Sequence, residues 1–233
     1  MLTEKDKAWL SKKYPQFEVK AEKISGEIEF TATYNEHTER FLQIEENTID
    51  AVGGVRLYGR FKIRIEVRND ISHSKLPALF VDEIENVPDR HFNQTDSSGC
   101  TCNPLEEDEF LQPEFQFQRY FRELVIPFLY GQLFFTEKRH WPWFEYAHGG
   151  VGSLEAFSKN PTLEKAKECL QIISQEFSLW KKVKPLLLQR SNIKGHTPCP
   201  CPKHDHIRRC HPHTLKGLIK LKEFILLERI LVP

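Results

Sequence analysis

Six cysteines, at positions 100, 102, 169, 199, 201 and 210, carry most of the chemistry that this 233-residue chain offers. Cys199-Pro200-Cys201 is followed, after eight intervening residues, by Cys210-His211. Two thiols one residue apart do not easily bridge each other, but both can reach one ion, and a Cys-His pair further on completes a tetrahedral set of sulfur and nitrogen donors. That set suits zinc, and four protein ligands make a closed, structural site rather than an open catalytic one. The nearby His204, His206 and His213 read as solvated side chains. A second group runs Arg90-His91-Phe92-Asn93-Gln94-Thr95-Asp96-Ser97-Ser98-Gly99-Cys100-Thr101-Cys102. A cysteine nucleophile must be a reachable thiolate on a loop held by a rigid scaffold. An amide such as Asn93 can donate to the oxyanion formed when a thioester carbonyl is attacked, and His91 can hold the loop through backbone hydrogen bonds. The competing reading makes Cys100 an ordinary small buried residue. A third group is Trp141-Pro142-Trp143-Phe144-Glu145-Tyr146-Ala147-His148-Gly149-Gly150. An imidazole titrates near neutrality, so His148 could take a proton from an incoming amine or thiol, with Glu145 orienting it. Alternatively both residues pin a Gly-rich loop.

These groups need elements to hold them. Thr3 is a candidate N-cap for a helix over 3–14. Gly26 to Tyr34 and Phe61 to Val67 alternate apolar and polar residues and predict strands, with Gly53-Gly54 a turn between them and Asn69-Asp70 ending the second. Leu76-Pro77-Ala78-Leu79-Phe80-Val81 starts a third, with Pro77 favouring an edge or a strand start. Residues 86–104 predict an ordered loop. From Gln116 the pattern turns helical. Residues 161–190 predict one or two helices and Leu215 to Leu231 another, with a Trp-, Pro- and Gly-rich loop over 141–152. A helix, then strands, then helices argues for an α+β fold. Lys plus Arg equals Asp plus Glu at 33 each, a balance that gives no electrostatic case for a dedicated nucleic-acid binder. The opening MLTEKDKAWL is charged, and the apolar run Leu124 to Phe135 is interrupted by Pro127 and Gly131 and is too short to cross a bilayer. Close cysteine pairs without a secretory leader read as metal-binding or catalytic, so the expected compartment is the cytoplasm, with no membrane partner.

The sequence CPCPKHDHIRRCH resembles the SEC-C zinc-binding motif, with Pro202-Lys203-His204 in place of its usual Gly-Ser-Gly turn. Residues 1 to about 150 resemble ubiquitin-conjugating enzymes. Gly59-Arg60-Phe61-Lys62-Ile63-Arg64-Ile65 is similar to the family's Gly-x-Phe-x-Leu-x-Ile strand, Leu76 to Phe80 to its proline-led strand, and His91-Phe92-Asn93 to its His-Pro-Asn motif. Phe92 replaces the proline, and Ser97 takes the place of a common glycine. The resemblance puts the nucleophile at Cys100, or at Cys102 if the alignment is anchored on Gly99. Trp141 to Gly150 resembles the WP-x-x-E-x-x-HG signature of bacterial homologues encoded in cyclic-oligonucleotide (CBASS) antiphage operons. That resemblance implies a conjugating enzyme that carries the C-terminus of a cGAS/DncV-like nucleotidyltransferase as a thioester. No P-loop or Gly-rich nucleotide fingerprint accompanies it, so any ATP-dependent activation falls to another protein. The expected organisation is a conjugating-enzyme-like domain over 1–155, a helical extension over 156–195, and a zinc knuckle with a C-terminal helix over 196–233. Two other functions fit the same residues: a non-catalytic interaction module, and a thiol hydrolase using Cys100, His148 and Glu145.

Overall fold

The computed structural model describes residues 2–45, 50–67, 75–85, 87–93, 96–203 and 205–233. The strand end expected at Asn69-Asp70, the loop residues Gln94 and Thr95, and His204 lie outside them. Helix α1 (Glu4–Lys13) starts in a capping box. Thr3 Oγ1 accepts the Asp6 N–H at 3.1 Å, and the Asp6 carboxylate accepts the Thr3 N–H at 3.0 Å. Five antiparallel strands follow: β1 (Glu18–Lys20), β2 (Lys23–Asn35), β3 (Arg40–Ile44), β4 (Val55–Glu66) and β5 (Ala78–Val81). β2 pairs along nearly its whole length with β4, from Lys23↔Glu66 to Tyr34↔Val55, while β1 and β3 occupy opposite ends of its other edge. β5 closes the far side of β4, Ile63 facing Val81. The predicted strands are thus β2, β4 and β5, adjacent and antiparallel, while β3, between β2 and β4 in the chain, pairs with the other edge of β2. Pro77 stands just before the edge strand, where its missing N–H costs no ladder bond, and its carbonyl accepts the Tyr120 hydroxyl at 2.9 Å.

After β5 come 3₁₀ turns at Pro88–Arg90 and Pro104–Glu106, then α2 (Asp108–Leu111), α3 (Phe117–Tyr120), a π turn over Phe121–Val125, and α4 (Ile126–Lys138). The last three form one continuous helix. Pro127 sits just past the π turn; its ring would clash with a carbonyl one α-helical turn back, and the wider turn accommodates it. This helix is apolar nearly all round, burying Phe121, Val125, Leu129, Tyr130 and Phe134, and it shares a core with Ile28, Ile63, Ile65 and Leu79 of the sheet.

The remaining elements are α5 (Gly149–Lys159), α6 (Leu163–Gln175), α7 (Phe177–Leu188), α8 (Ile207–Cys210) and α9 (Pro212–Glu228). The start of α5 falls inside the stretch expected to be a loop. Its glycines oppose a helix by propensity, but packing overrides them. The Glu176 carboxylate takes the Gly150 N–H at 2.5 Å, Glu155 takes the Ala147 N–H at 2.8 Å, and a Cβ on Gly152 would stand 1.8 Å from the Ala147 carbonyl oxygen.

The chain forms two compact units, one of residues 1–102 and 107–145, the other of 103–106 and 146–233. The second has its own core, in which Leu154, Phe157, Leu170, Val183 and Leu218 pack with Cys199 and Cys201. Residues 146–155, grouped by sequence with the first domain, therefore pack in the second unit, and 156–195 shares one core with 196–233. Among the described residues no helix is long and apolar enough to cross a membrane.

Candidate active site and metal centre

The loop after β5 is a short hairpin hung on the sheet edge. Gly99 donates its N–H to Leu79 O of β5 at 2.7 Å. Phe92 and Gly99 form an antiparallel bridge, Cys100 N–H donates to His91 O at 2.7 Å, and Asn93 N–H donates to Ser98 O at 2.8 Å. Phe92 is buried edge-on against the Phe128 ring, 5.6 Å between centroids. The same ring explains Gly99: a Cβ there would meet it at 2.8 Å. His91 and Ser97 both have left-handed backbone, φ +56° and +66°, a region that favours glycine. The base of the hairpin is clamped to α4. Buried Gln132 donates from Nε2 to Arg90 O at 2.7 Å, and the Arg90 guanidinium reaches Gln132 O at 3.2 Å and Thr136 Oγ1 at 3.0 Å.

Inside the hairpin, four polar side chains form a directional chain. A carboxylate only accepts, so the Ser98 hydroxyl donates to Asp96 Oδ1 at 2.7 Å. Its oxygen is then an acceptor for Asn93 Nδ2 at 3.0 Å, which turns Asn93 Oδ1 toward Cys100 Sγ at 2.8 Å. Asn93 thus accepts from the resting thiol. Cys100 is half-buried, and its pKa is pushed up to about 11, chiefly by burial and secondarily by the Asp96 carboxylate. The reachable thiolate expected from the sequence is, at rest, a shielded neutral thiol. Cys102 is also half-buried and packs against the first unit's core.

His91 is braced twice. Its Nε2 lies 2.5 Å from Glu145 Oε1, and its ring stands edge-on to Trp141 with centroids 4.7 Å apart. Glu145, expected to orient His148, is therefore the partner of His91. His148 is an exposed N-cap position at the start of α5 in the second unit. Asp96, Ser98 and Gln132 were not singled out by sequence reasoning. The signal that marks the first two is the Asp-x-Ser spacing, which lets a side chain close a turn on itself.

The second unit gathers the other four candidates. One donor atom each from Cys199, Cys201, Cys210 and His211 lies within 4.8 Å of the others, so the cluster can hold a metal ion. Cys199 Sγ is 3.2 Å from His211 Nδ1 and Cys201 Sγ is 3.4 Å from Cys210 Sγ. These separations approach the ~3.5–3.8 Å edges of a tetrahedron built on zinc–ligand bond lengths. Local backbone makes the geometry. Pro198 bridges His206, Cys199 N–H donates to Asp205 O at 2.7 Å, and Ile207 N–H donates to Thr197 O at 2.9 Å. These bonds place Cys199 and Cys201 before the turn, with Cys210 ending α8 and His211 capping it. Lys182 of α7 supports the knuckle, its Nζ donating to Pro200 O at 3.0 Å. His206 and His213 are not among the four; Cys169 is fully buried in the same core as a packing residue.

No protein-family model, no curated protein and no solved structure matches this chain.

Proposed function

We propose that this chain is a cysteine-dependent acyl carrier of the ubiquitin-conjugating type, with a structural zinc in its second unit. The observation that supports this most is the Cys100 hairpin. A thiol sits on the edge of the antiparallel β2–β4–β5 array, 2.8 Å from the asparagine amide group of a His-x-Asn segment. Ser97 adds support, since its φ of +66° matches the glycine that the family resemblance expects at that position.

In the reaction, the donor is a protein C-terminal carboxyl already activated as a thioester or mixed anhydride by a separate enzyme. Cys100 gives up its proton to solvent and attacks the carbonyl; the new S–C bond forms as the bond to the donor's leaving group breaks, and that group departs as an anion that takes a proton from solvent, giving a thioester on Cys100. An acceptor amine or thiol then attacks that thioester, the S–C bond to Cys100 breaks, and the departing sulfur takes up the proton released by the acceptor to return to the neutral thiol. Asn93 serves both states by turning its amide, holding S–H through Oδ1 at rest and offering Nδ2 to the oxyanion during transfer. His91, held by Glu145 and Trp141, keeps the hairpin in register. With Glu145 committed to His91, the hydrolase reading loses its orienting carboxylate. The resemblance to proteins of antiphage operons makes a cGAS/DncV-like nucleotidyltransferase the first donor to test. Cys199, Cys201, Cys210 and His211 would hold the zinc, which as a closed four-ligand site would supply folding energy.

Intact mass spectrometry of the protein co-expressed with its genomic neighbours tests the proposal. A mass increment removed by thiol reductant is expected, lost in Cys100→Ala and retained in Cys102→Ala. The reverse pattern would move the nucleophile to Cys102. An increment surviving in both variants, or none in the wild type, would overturn the carrier reading.

A further inference from the structure

The zero net charge of the chain is a sum of unlike parts. Between Phe177 and Lys222 there are eleven Lys and Arg residues against one acid, Asp205. Some of these cations are structural: Lys182 binds the knuckle's carbonyls, and buried Lys222 donates to Gln189 O and Ser191 O at 2.6 and 2.7 Å. Others are not, and four of those belong to the knuckle and the turn leading into it. Lys194, Lys203, Arg208 and Arg209 are exposed, and none forms an ion pair with a carboxylate among the described residues.

The fold gathers these four. Lys194 opens the turn that brings Thr197 N–H to Lys194 O at 2.9 Å, and Arg208 N–H donates to Gly195 O at 3.1 Å with its side chain lying 3.0 Å from a Cβ position on Gly195. Lys203 lies on the turn between the bridged residues Pro198 and His206, and Arg209 stands beside Arg208 on α8. The backbone bonds that shape the metal cluster therefore also fix a cationic outer surface, with exposed His196 and His206 on the same segments. The large apolar side chains here, Ile193 and Ile207, are buried.

We propose that the outer surface of the metal knuckle binds the phosphate backbone of nucleic acid, independently of Cys100. A protein or peptide partner would need an apolar or aromatic anchor to hold it, and these segments expose none. Phosphate recognition needs only placed cations, and its strength comes from counterion release without base reading. Guanidiniums at 208 and 209 suit phosphate oxygens, which they can grip with two N–H donors.

Fluorescence anisotropy with a labelled 30-base-pair duplex of arbitrary sequence and a matching single-stranded RNA tests this on the full chain. Binding is expected at 50 mM salt, with log affinity falling against log salt at a slope of about −3 to −4 on the duplex, as four phosphate contacts require. Changing Lys194, Lys203, Arg208 and Arg209 together to Gln should abolish it. Exchanging Lys for Arg and Arg for Lys at those positions should keep it, as should removing Lys5, Lys12, Lys20 and Arg56 instead. Bound metal, measured by a colorimetric chelator, checks that each variant keeps its knuckle. If the Gln variant is misfolded, the salt slope and the remote-charge variant still decide. Absence of binding by the wild type, equal loss in the remote-charge variant, or displacement of the duplex by equimolar polyglutamate would overturn the proposal.

Discussion

At Cys100 the sulfur donates to an amide oxygen while an aspartate stands nearby, so the fold favours the neutral thiol. The pKa rises from 9.0 to about 11, and the sign follows: this preference stabilises the folded chain fully below pH ~9 and is lost as pH rises through about 11. Alkylation of Cys100 by iodoacetamide, followed by peptide mass spectrometry, should climb tenfold per pH unit past 9 and level off only near 11. At pH 7.5 it should run on the order of a hundredfold slower than for a solvated thiol. A plateau at or below 9 would show the thiol to be unshielded. Asp96→Asn should shift the curve down only slightly, since burial is the larger cause. Asn93→Ala should slow transfer from the loaded thioester by roughly 10²–10³, the worth of one oxyanion donor, and slow loading less; equal transfer rates would reduce Asn93 to a thiol acceptor. Candidate residues were legible here from type and spacing, because a His-x-Asn segment and a following cysteine form a local pattern. Their directions were not. Which end of Asn93 meets the thiol depends on Ser98 and Asp96, and which imidazole receives Glu145 depends on how residues 141–145 cross the hairpin.

Among the elements, the strands that alternate along a full face announced themselves, whereas β1 and β3 are short and only partly buried, leaving little periodicity to read. α5 was hidden by its glycines, which suit a tightly packed helix start and not the propensity of an isolated one. The hairpin shows the same dependence on neighbours. Gly99→Ala should cost about 1–3 kcal/mol in urea unfolding, because its methyl meets the Phe128 ring. Phe128→Leu in the same chain should recover part of that loss. Strictly additive effects in the double mutant would mean that the ring is not what excludes a side chain at 99.

For the molecule as a whole, two cores imply two responses. Chelation should strip hydrogen-exchange protection from 195–213 and weaken it in α7 and α9, because Cys199 and Cys201 are buried in the core those helices share. Protection across β2, β4 and β5 should hold; its loss would show the metal to support the first unit as well. The division is nevertheless not a clean cut along the chain. After Cys102 the backbone leaves the first unit, gives Asn103–Glu106 to the second, and returns at Glu107. Leu105, on that excursion, is 1% exposed within the second core, and Glu106 accepts the Tyr146 hydroxyl at 2.5 Å. A fragment beginning at 146 would therefore lack a core side chain, a hole worth about 2–5 kcal/mol by analogy with leucine truncations. No single scission yields both halves whole. The segment bearing Cys100 and Cys102 runs without a spacer into one anchored elsewhere, so the proposed acylation site and second-unit integrity are tied by covalent continuity, and dissecting the protein genetically calls for internal grafts rather than truncations.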